Sequence, residues 1–209
     1  IAMNGVERNT HWYREMVRTA PNKMDRIEQI VDYISAGNYE PVGAPGEYMS
    51  YSNEGYAVLS YIVDQAAGIT LEEFLKERIF RPLGMTRTVL DVDCGEARAL
   101  AGDNITSLFE RDDDGKLVWD DNWSVLPPFR GCACVKSTAK DITRYYQMLS
   151  NGGVWEGKQV IPAEAVELMV GKAFPLREKY YYCMGLQKRL LGGRMVCQHA
   201  GGLHGVSTE

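Results

Sequence analysis

The chain has 209 residues, the size of one domain of roughly 150 residues or somewhat more. Its charged residues (24%) and hydrophobic residues (45%) have the proportions of an ordinary folded protein, which excludes an intrinsically disordered chain. The formal charge of -5, without a cluster of Lys and Arg, argues against a nucleic-acid partner, and no apolar run approaches the roughly 20 residues that a membrane-spanning helix needs.

The first helix and the loop behind it are predicted from apolar spacing and from breaker residues. Apolar residues recur at helical spacing from Met24 to Ile34 and stop at Gly37, a residue that closes helices readily. Residues 38–51 contain two prolines and two glycines, which predicts an ordered surface loop.

Two further helices are predicted directly behind this loop. One apolar stripe runs from Tyr56 to Ala66 and ends at Gly68, and Thr70 and Glu73 form a capping box that opens the next helix. Proline and glycine within residues 81–84 then break the chain.

The second half of the chain is predicted to mix strands with short helices. Residues 109–119 are typical of a hairpin turning at Asp114-Gly115, and Ser137 or Thr138 caps a helix that ends at residues 151–153. Another helix follows Pro162, and residues 180–188 and 194–198 are predicted to be the two strands of an antiparallel hairpin.

The cysteines do not indicate a framework of disulfides or a zinc ribbon. Their number is odd and no two are spaced as C-x-x-C, so we expect reduced thiols; they are Cys94, Cys132, Cys134, Cys183 and Cys197. The Cys132-Ala-Cys134 pair is a weak metal-binding pattern, which two half-buried strand cysteines explain more simply. No cofactor is expected.

Two short segments carry residues suited to acyl-transfer chemistry. The first, Tyr51-Ser52-Asn53, stands at a loop-to-helix corner, where a tyrosine can act as a base if cations stabilise its phenolate and an amide can hold a substrate amide. The second, His199-Ala-Gly201-Gly202, ends a predicted strand, and its glycines allow close approach of a substrate and offer an N–H to an oxyanion.

Each of these residues also has a purely structural explanation. Tyr51 can be a half-buried aromatic, Asn53 a helix N-cap, His199 a solvated strand residue, and the glycines a turn. A metal pair formed by His199 and His204 is less favoured, because no third ligand stands at a suitable spacing.

Three segments together resemble the serine β-lactamase-like family, which includes class C β-lactamases, penicillin-binding DD-peptidases, D-aminopeptidases and related esterases. They are PGEYMSYSNEGYAVLSYIVDQAAGITLEEFLKERIFRPLGMTRT at 45–88, STAKDITRYYQMLSNGG at 137–153 and HAGGLHG at 199–205. The segments follow the order found in the family. The resemblance implies an α+β fold of the β-lactamase/transpeptidase type, here with a helical region and part of an antiparallel sheet.

The resemblance also implies roles for individual residues. Tyr51 would be the general base or proton relay, Asn53 would hold the substrate amide, and His199 would bind substrate or relay protons. Gly201 and Gly202 would form the substrate-binding strand end, with Gly202 donating one oxyanion-hole N–H.

One motif of the family is out of place in this sequence. The resemblance implies a nucleophilic Ser-x-x-Lys ahead of Tyr51, and residues 1–50 contain none. The one Ser-x-x-Lys in the sequence begins at Ser137, which we expect to be a helix cap, since Thr138 and Asp141 form another capping box.

The missing motif leads us to expect an internal fragment of one β-lactamase-like domain, truncated at both ends. Residues 1–130 would be a mainly helical region with a hairpin, and residues 131–209 its helix and sheet-forming part. We expect part of a serine hydrolase of amide or ester bonds, inactive alone; the alternative is a non-catalytic module that binds peptides or β-lactams.

The expected partners follow from the same resemblance. They are small-molecule or peptide substrates, namely a β-lactam, a D-amino acid peptide or an ester, with no nucleic acid and no membrane segment. Apolar surface left by the missing strands also predicts self-association.

Overall fold

The computed structural model describes residues 3–4, 26–37, 40–41, 43–44, 46–120, 127–171, 173–203 and 206–208. It divides into two compact units that interleave along the chain. The first holds described residues of Ile1–Ala97 and Ser124–Thr138, and the second those of Arg98–Trp123 and Ala139–Glu209. The predicted division near residue 130 stays a prediction.

Two helices form the core of the first unit. Helix α1 spans Ile27–Ser35 and helix α2 spans Asn53–Ala67, both as the apolar spacing predicted. They bury a shared cluster, whose members and half-buried neighbours are Ile27, Ile30, Ala57, Val31, Ile34, Val58, Tyr61 and Phe129.

The ends of the next helices follow from local signals in the sequence. Helix α2 ends at Gly68, which adopts the left-handed conformation with φ 69°. Thr70 and Glu73 form the predicted capping box of helix α3, Leu71–Leu75, which continues as a π-helical turn over Lys76–Phe80. The predicted break at residues 81–84 is a turn, in which the Leu83 N–H donates to the Ile79 carbonyl.

The remaining elements of the first unit are short. Strand β1 (Met3–Asn4) pairs with β2 (Glu40–Pro41), and β3 (Val89–Leu90) pairs with β6 (Val135–Lys136). Leu71, Leu90 and Cys134 form a second buried cluster beside this pairing. The boundary with the second unit, between Ala97 and Arg98, falls within helix α4, Gly95–Ala101. This helix was not predicted, and neither was the helical segment of the first unit formed by Pro127–Phe129 and α5, Arg130–Ala133.

The second unit begins with the predicted hairpin. Strands β4 (Leu108–Arg111) and β5 (Leu117–Asp120) are antiparallel, with Gly115 at φ 78° in the turn. Helix α6 (Ala139–Ser150) and helix α7 (Ala163–Gly171) also lie where the sequence predicted them. A small hairpin of β7 (Val154–Trp155) and β8 (Lys158–Gln159) joins them.

A four-stranded antiparallel sheet follows, in the order β12, β11, β10, β9. Its strands are β9 (Phe174–Arg177), β10 (Tyr180–Tyr182), β11 (Gln187–Leu191) and β12 (Arg194–Gln198). The prediction of one continuous strand over 180–188 was wrong. The Cys183 N–H donates to the Leu186 carbonyl at 2.6 Å, and Gly185 has φ 77°, so the chain turns there.

The chain then forms one last hairpin, of β13 (Gly201–Leu203) and β14 (Val206–Thr208). In the part of the chain that the structure describes, every helix is too short or too polar to cross a membrane.

Candidate active site

The Tyr51 corner is positioned by the helix that begins beside it. Ser52 is the N-cap of α2, with φ -146° and ψ 116°, and its Oγ accepts a hydrogen bond from the Gly55 N–H at 2.9 Å. Asn53 is the first residue of the helix and is exposed, so the alternative that Asn53 is the N-cap was wrong. Tyr51, directly ahead of the cap, is half-buried.

The predicted loop over residues 38–51 is described only in part, and the prediction that it has no regular structure was wrong at Glu40–Pro41, which pair as β2. A tight turn is closed by two hydrogen bonds, from the Glu47 N–H to the Ala44 carbonyl at 3.0 Å and from the Ala44 N–H to Glu47 Oε2 at 2.9 Å. Gly46 has φ 86°, a conformation that favours glycine. The turn thus carries the chain into Tyr51 along a defined path.

A buried carboxylate next to the corner was missed by the sequence reasoning. Glu54 is 1% exposed, and Ser52 Oγ lies 3.4 Å from its Oε2. A negative charge in the first turn of a helix is stabilised by the helix dipole, so an acidic residue right behind a Ser cap was the available signal. Ser52 therefore contacts both the backbone and a buried carboxyl group of the first turn.

The segment 130–134 packs tightly against helix α2. A Cβ added at Gly131 would lie 2.7 Å from the Tyr56 carbonyl oxygen and 2.8 Å from Ser60 Cβ. Because real Cβ atoms do not approach so closely, only glycine allows the two backbones to meet here.

An ion triad holds the same segment to α2 and α3. Arg130 donates through Nη2 to Asp64 and through Nη1 to Glu72 Oε2 at 3.0 Å. Asp64 Oδ1 also accepts from the Leu71 N–H at 2.7 Å, so one carboxylate joins the start of α3 to the arginine. The triad ties α2, the helix that begins behind Tyr51, to α3 and to the segment 130–134.

The Cys132-Ala-Cys134 pair is structural in this arrangement. Cys132 is exposed as a residue, but loss of water around its thiol, followed by the charges of Cys134 and Glu54, raises its pKa to about 12, and the thiol donates to the Phe129 carbonyl at 3.1 Å. Burial raises the pKa of Cys134 to about 11. Both thiols are therefore protonated at neutral pH, which disfavours nucleophilic and metal-binding roles.

Cys132 belongs to a helix and Cys134 follows it, so the interpretation as strand cysteines was wrong. Among the described residues, no group of three His, Cys, Asp or Glu side chains could hold a metal ion. His204 lies outside the described residues.

The second candidate segment follows strand β12, as predicted. The strand ends at Gln198, and His199 is half-buried behind it. The ring of His199 meets that of Tyr182 edge to face, with centroids 6.3 Å apart and an interplanar angle of 82°. His199 Nδ1 lies 2.7 Å from the Ala200 carbonyl oxygen.

The two glycines behind His199 lie on an exposed strand. Gly201 and Gly202 open β13, where they pair with Thr208 and Ser207. A Cβ at Gly202 would meet no atom within 4 Å, so close packing inside this unit does not explain the glycine at that position. A substrate-binding role for Gly202 stays a prediction.

The predicted site residues belong to the two compact units. Tyr51 and Asn53 are part of the first unit, and His199, Gly201 and Gly202 are part of the second. That these two groups serve one site stays a prediction.

Comparisons with known proteins identify the relatives of the chain. Residues 9–207 match the family described as beta-lactamase. Penicillin-binding protein 4 of Amycolatopsis lactamdurans is 30% identical over 127 residues, which are 60% of this chain and 32% of that protein.

Solved structures share the fold. The octameric penicillin-binding protein homologue from Pyrococcus abyssi superposes with a TM-score of 0.67 and 22% identity, over 97% of this chain and 44% of that one. The D-amino acid amidase from Ochrobactrum anthropi SV3, solved with D-phenylalanine, gives a TM-score of 0.66 and 21% identity, over 89% of this chain and 53% of that one.

The chain thus spans about a third of the curated relative and about half of each solved neighbour. The expected mixture of helices and antiparallel sheet is confirmed as the β-lactamase/transpeptidase fold. Because the match extends over almost all of its residues, the chain belongs to the beta-lactamase family.

Proposed function

We propose that the chain supplies the Tyr-x-Asn and His-x-Gly parts of a serine hydrolase that cleaves amide or ester bonds through an acyl-enzyme. The serine hydroxyl, outside this chain, forms a bond to the substrate carbonyl carbon while Tyr51 accepts its proton. The leaving amine or alcohol departs with a proton, and water then releases the acyl group. Asn53 holds the substrate amide, and the Gly202 N–H stabilises the oxyanion.

The observation that carries this proposal is the family match over residues 9–207, within which Tyr51-Ser52-Asn53 precedes His199-Ala-Gly201-Gly202. The N-cap at Ser52 and the strand end at Gln198 support it, because both segments stand where elements of regular structure hold them. The names of the relatives point to D-amino acid amides, D-amino acid peptides and β-lactams as the substrates to test.

The family resemblance implies a lysine or a histidine at the position of His199, and this chain has the histidine. A neutral imidazole provides no permanent cation for a substrate carboxylate at pH 7. We therefore expect His199 to bind substrate or relay a proton through its ring nitrogens, with neutral amides and esters accepted as well as carboxylates.

The isolated 209-residue chain should form no acyl-enzyme, because no Ser-x-x-Lys precedes Tyr51 in it. Without the lysine, the main charge that could hold Tyr51 as phenolate is also missing. Incubation with a fluorescent penicillin followed by a denaturing gel should show no labelled band. A covalently labelled band would mean that the chain contains its own nucleophile.

The role of Tyr51 can be tested in a gene product that carries these residues behind a Ser-x-x-Lys motif. Tyr51→Phe removes the proton acceptor and should lower kcat on a D-amino acid amide about 10²-fold or more. Tyr48→Phe, at an exposed tyrosine of the same loop, is the matched control and should leave kcat unchanged. Equal rates for the two variants would contradict the assignment.

A second candidate is a non-catalytic module that binds peptides or β-lactams, and the natural gene sequence ahead of Ile1 separates it from the hydrolase. Two observations together would select this candidate. The chain would bind a penicillin reversibly, with weaker binding in Tyr51→Phe, and the natural gene product would lack the upstream motif. An upstream Ser-x-x-Lys would select the hydrolase.

Self-association of the chain is part of the proposal. Exposed apolar side chains on β11 and β12 support it, namely Leu190, Leu191 and Met195. Sedimentation of the purified chain should show dimers or larger species, and a monomer at all concentrations would contradict this.

A further inference from the structure

We propose that Tyr182 is a positioning residue for His199. The Tyr182 ring holds the imidazole in the orientation in which Nδ1 is hydrogen-bonded to the main chain and Nε2 is the atom that transfers protons. The functional meaning of this inference rests on the proposed role of His199. The contact itself lies within one compact unit.

The register of the sheet brings the two residues together. Tyr182 pairs with Gln187 across β10 and β11, and Gln187 pairs with Gln198 across β11 and β12. His199 is the next residue along the chain. A tyrosine at this register position therefore lies two strands from the end of β12, and its ring reaches the imidazole, with 6.3 Å between centroids.

Tyr182 stands on a rigid support. It is 8% exposed, and the turn behind it is closed by the hydrogen bond from the Cys183 N–H to the Leu186 carbonyl. The turn and the strand behind it are tied to the end of α7. The Met184 N–H in the turn donates to the Met169 carbonyl, and the Lys188 ammonium on β11 donates to the Val170 carbonyl at 3.0 Å. A ring held in this way can restrain a neighbouring ring.

The hydrogen bond at Nδ1 determines the tautomer. A carbonyl oxygen accepts and cannot donate, so the 2.7 Å contact with Ala200 places the hydrogen on His199 Nδ1. The neutral imidazole then carries its lone pair on Nε2. Edge-to-face contact with Tyr182 fixes the ring plane, and this keeps the Nδ1 contact from being exchanged by a ring flip.

A purely structural role for Tyr182 makes a different prediction. If the tyrosine only fills the core, its replacement by another apolar side chain changes stability and leaves the state of the imidazole as it was. The imidazole itself is therefore the right observable, and it does not depend on whether the chain takes part in acyl transfer.

Nuclear magnetic resonance of the chain labelled with ¹⁵N-histidine tests the inference, since the sequence contains three histidines and a His199→Gln spectrum assigns the signal. In the unmodified chain we expect a nuclear Overhauser effect between the rings of Tyr182 and His199, and one tautomer with hydrogen on Nδ1. Absence of the ring contact, or hydrogen on Nε2 alone, would overturn the inference without any variant.

Two variants then separate positioning from packing. Tyr182→Phe keeps the ring and should retain the ring-current shift of the His199 protons and the Nδ1 tautomer. Tyr182→Leu removes the ring and its current in either case, so the tautomer is the deciding signal, and both tautomers should be populated in this variant. If the Leu variant keeps hydrogen on Nδ1 alone, Tyr182 is a core residue only. If the Leu variant does not fold, the unmodified chain and the Phe variant decide.

The outcome is separable from that of the proposed function. Loss of the single Nδ1 tautomer of His199 in Tyr182→Leu supports the positioning role even if His199 proves irrelevant to turnover. An unchanged tautomer in that variant refutes the positioning role even if the chain belongs to an active hydrolase.

Discussion

The hydroxyl oxygens of Thr88 and Ser137 lie 2.7 Å apart and share a hydrogen bond. Val89 pairs with Lys136 on the adjoining strands, so the two hydroxyls continue the pairing of β3 with β6 by one residue. Ser137 begins the one Ser-x-x-Lys of the sequence, and this contact explains its hydroxyl as a link between two strands.

Replacing Ser137 should therefore affect stability and not acylation. In a gene product that shows acylation, Ser137→Ala should keep it, while the free energy of unfolding falls by about 0.5–1.5 kcal/mol through loss of one hydrogen bond. Thr88→Val removes the same hydrogen bond from the other side and is the control for stability. Complete loss of penicillin labelling in Ser137→Ala alone would identify Ser137 as the nucleophile.

The close contact of Gly131 with helix α2 predicts that even a methyl side chain at this position lowers the stability of the fold. Gly131→Ala places a methyl group 2.7 Å from the Tyr56 carbonyl, and the separation needed to relieve it should lower the free energy of unfolding by about 1–3 kcal/mol. Urea unfolding followed by tryptophan fluorescence measures the change.

Gly171→Ala is the matched control, because a Cβ there meets no atom within 4 Å. It should leave stability unchanged or raise it slightly, since alanine favours helix over glycine. Equal destabilisation by both substitutions would contradict the packing argument.

The hydrogen-bonded carboxylate of Asp91 leads us to expect that the fold loses stability in acid. Burial by itself raises the pKa of its carboxyl, but hydrogen bonds from the Ala97, Asp93 and Cys94 N–H groups to the charged form outweigh burial and lower the pKa. A carboxyl with a lowered folded-state pKa contributes stability above its unfolded pKa. This contribution is lost as the pH falls through the folded value.

The pH range in which this stability is lost therefore lies at and below 3.8, the ordinary pKa of the carboxyl. Between pH 7 and pH 3, the unmodified chain should lose more unfolding free energy than Asp91→Asn, which has no charge to lose at this position. Urea titrations at successive pH values measure the difference. A gain of the unmodified chain over the Asn variant on acidification would have the wrong sign.

Elements with local signals could be predicted from the sequence. The end of α2 at Gly68 and the start of α3 at Thr70 depend on conformations and capping contacts within a few residues. Helix α4 was missed because its first turn is held by the Asp91 carboxylate, and Lys136, distant in the sequence, donates to the Asp91 carbonyl.

The residues of the candidate site also fall into those that the sequence could predict and those that it could not. Tyr51, Asn53 and His199 stand in short motifs, and a motif is a property of adjacent residues that the sequence displays. Gly131 and Tyr182 have no such pattern, because their roles arise from contact between two backbones and from the register of three strands. Glu54 follows a Ser cap, which is a local signal, but its burial is decided by the tertiary structure.

The sequence by itself determined the family, the capped ends of helices such as α2 and α3, and the candidate chemical groups, since each depends on short runs of side chains with local preferences. The tertiary structure alone decided that the chain turns at residues 183–186, that Ser137 joins two strands and that Tyr182 meets His199. The Ser137 and Tyr182 contacts join residues far apart in the chain, whose free energy no local pattern records, and the turn lies within a run whose aromatic residues favour a strand.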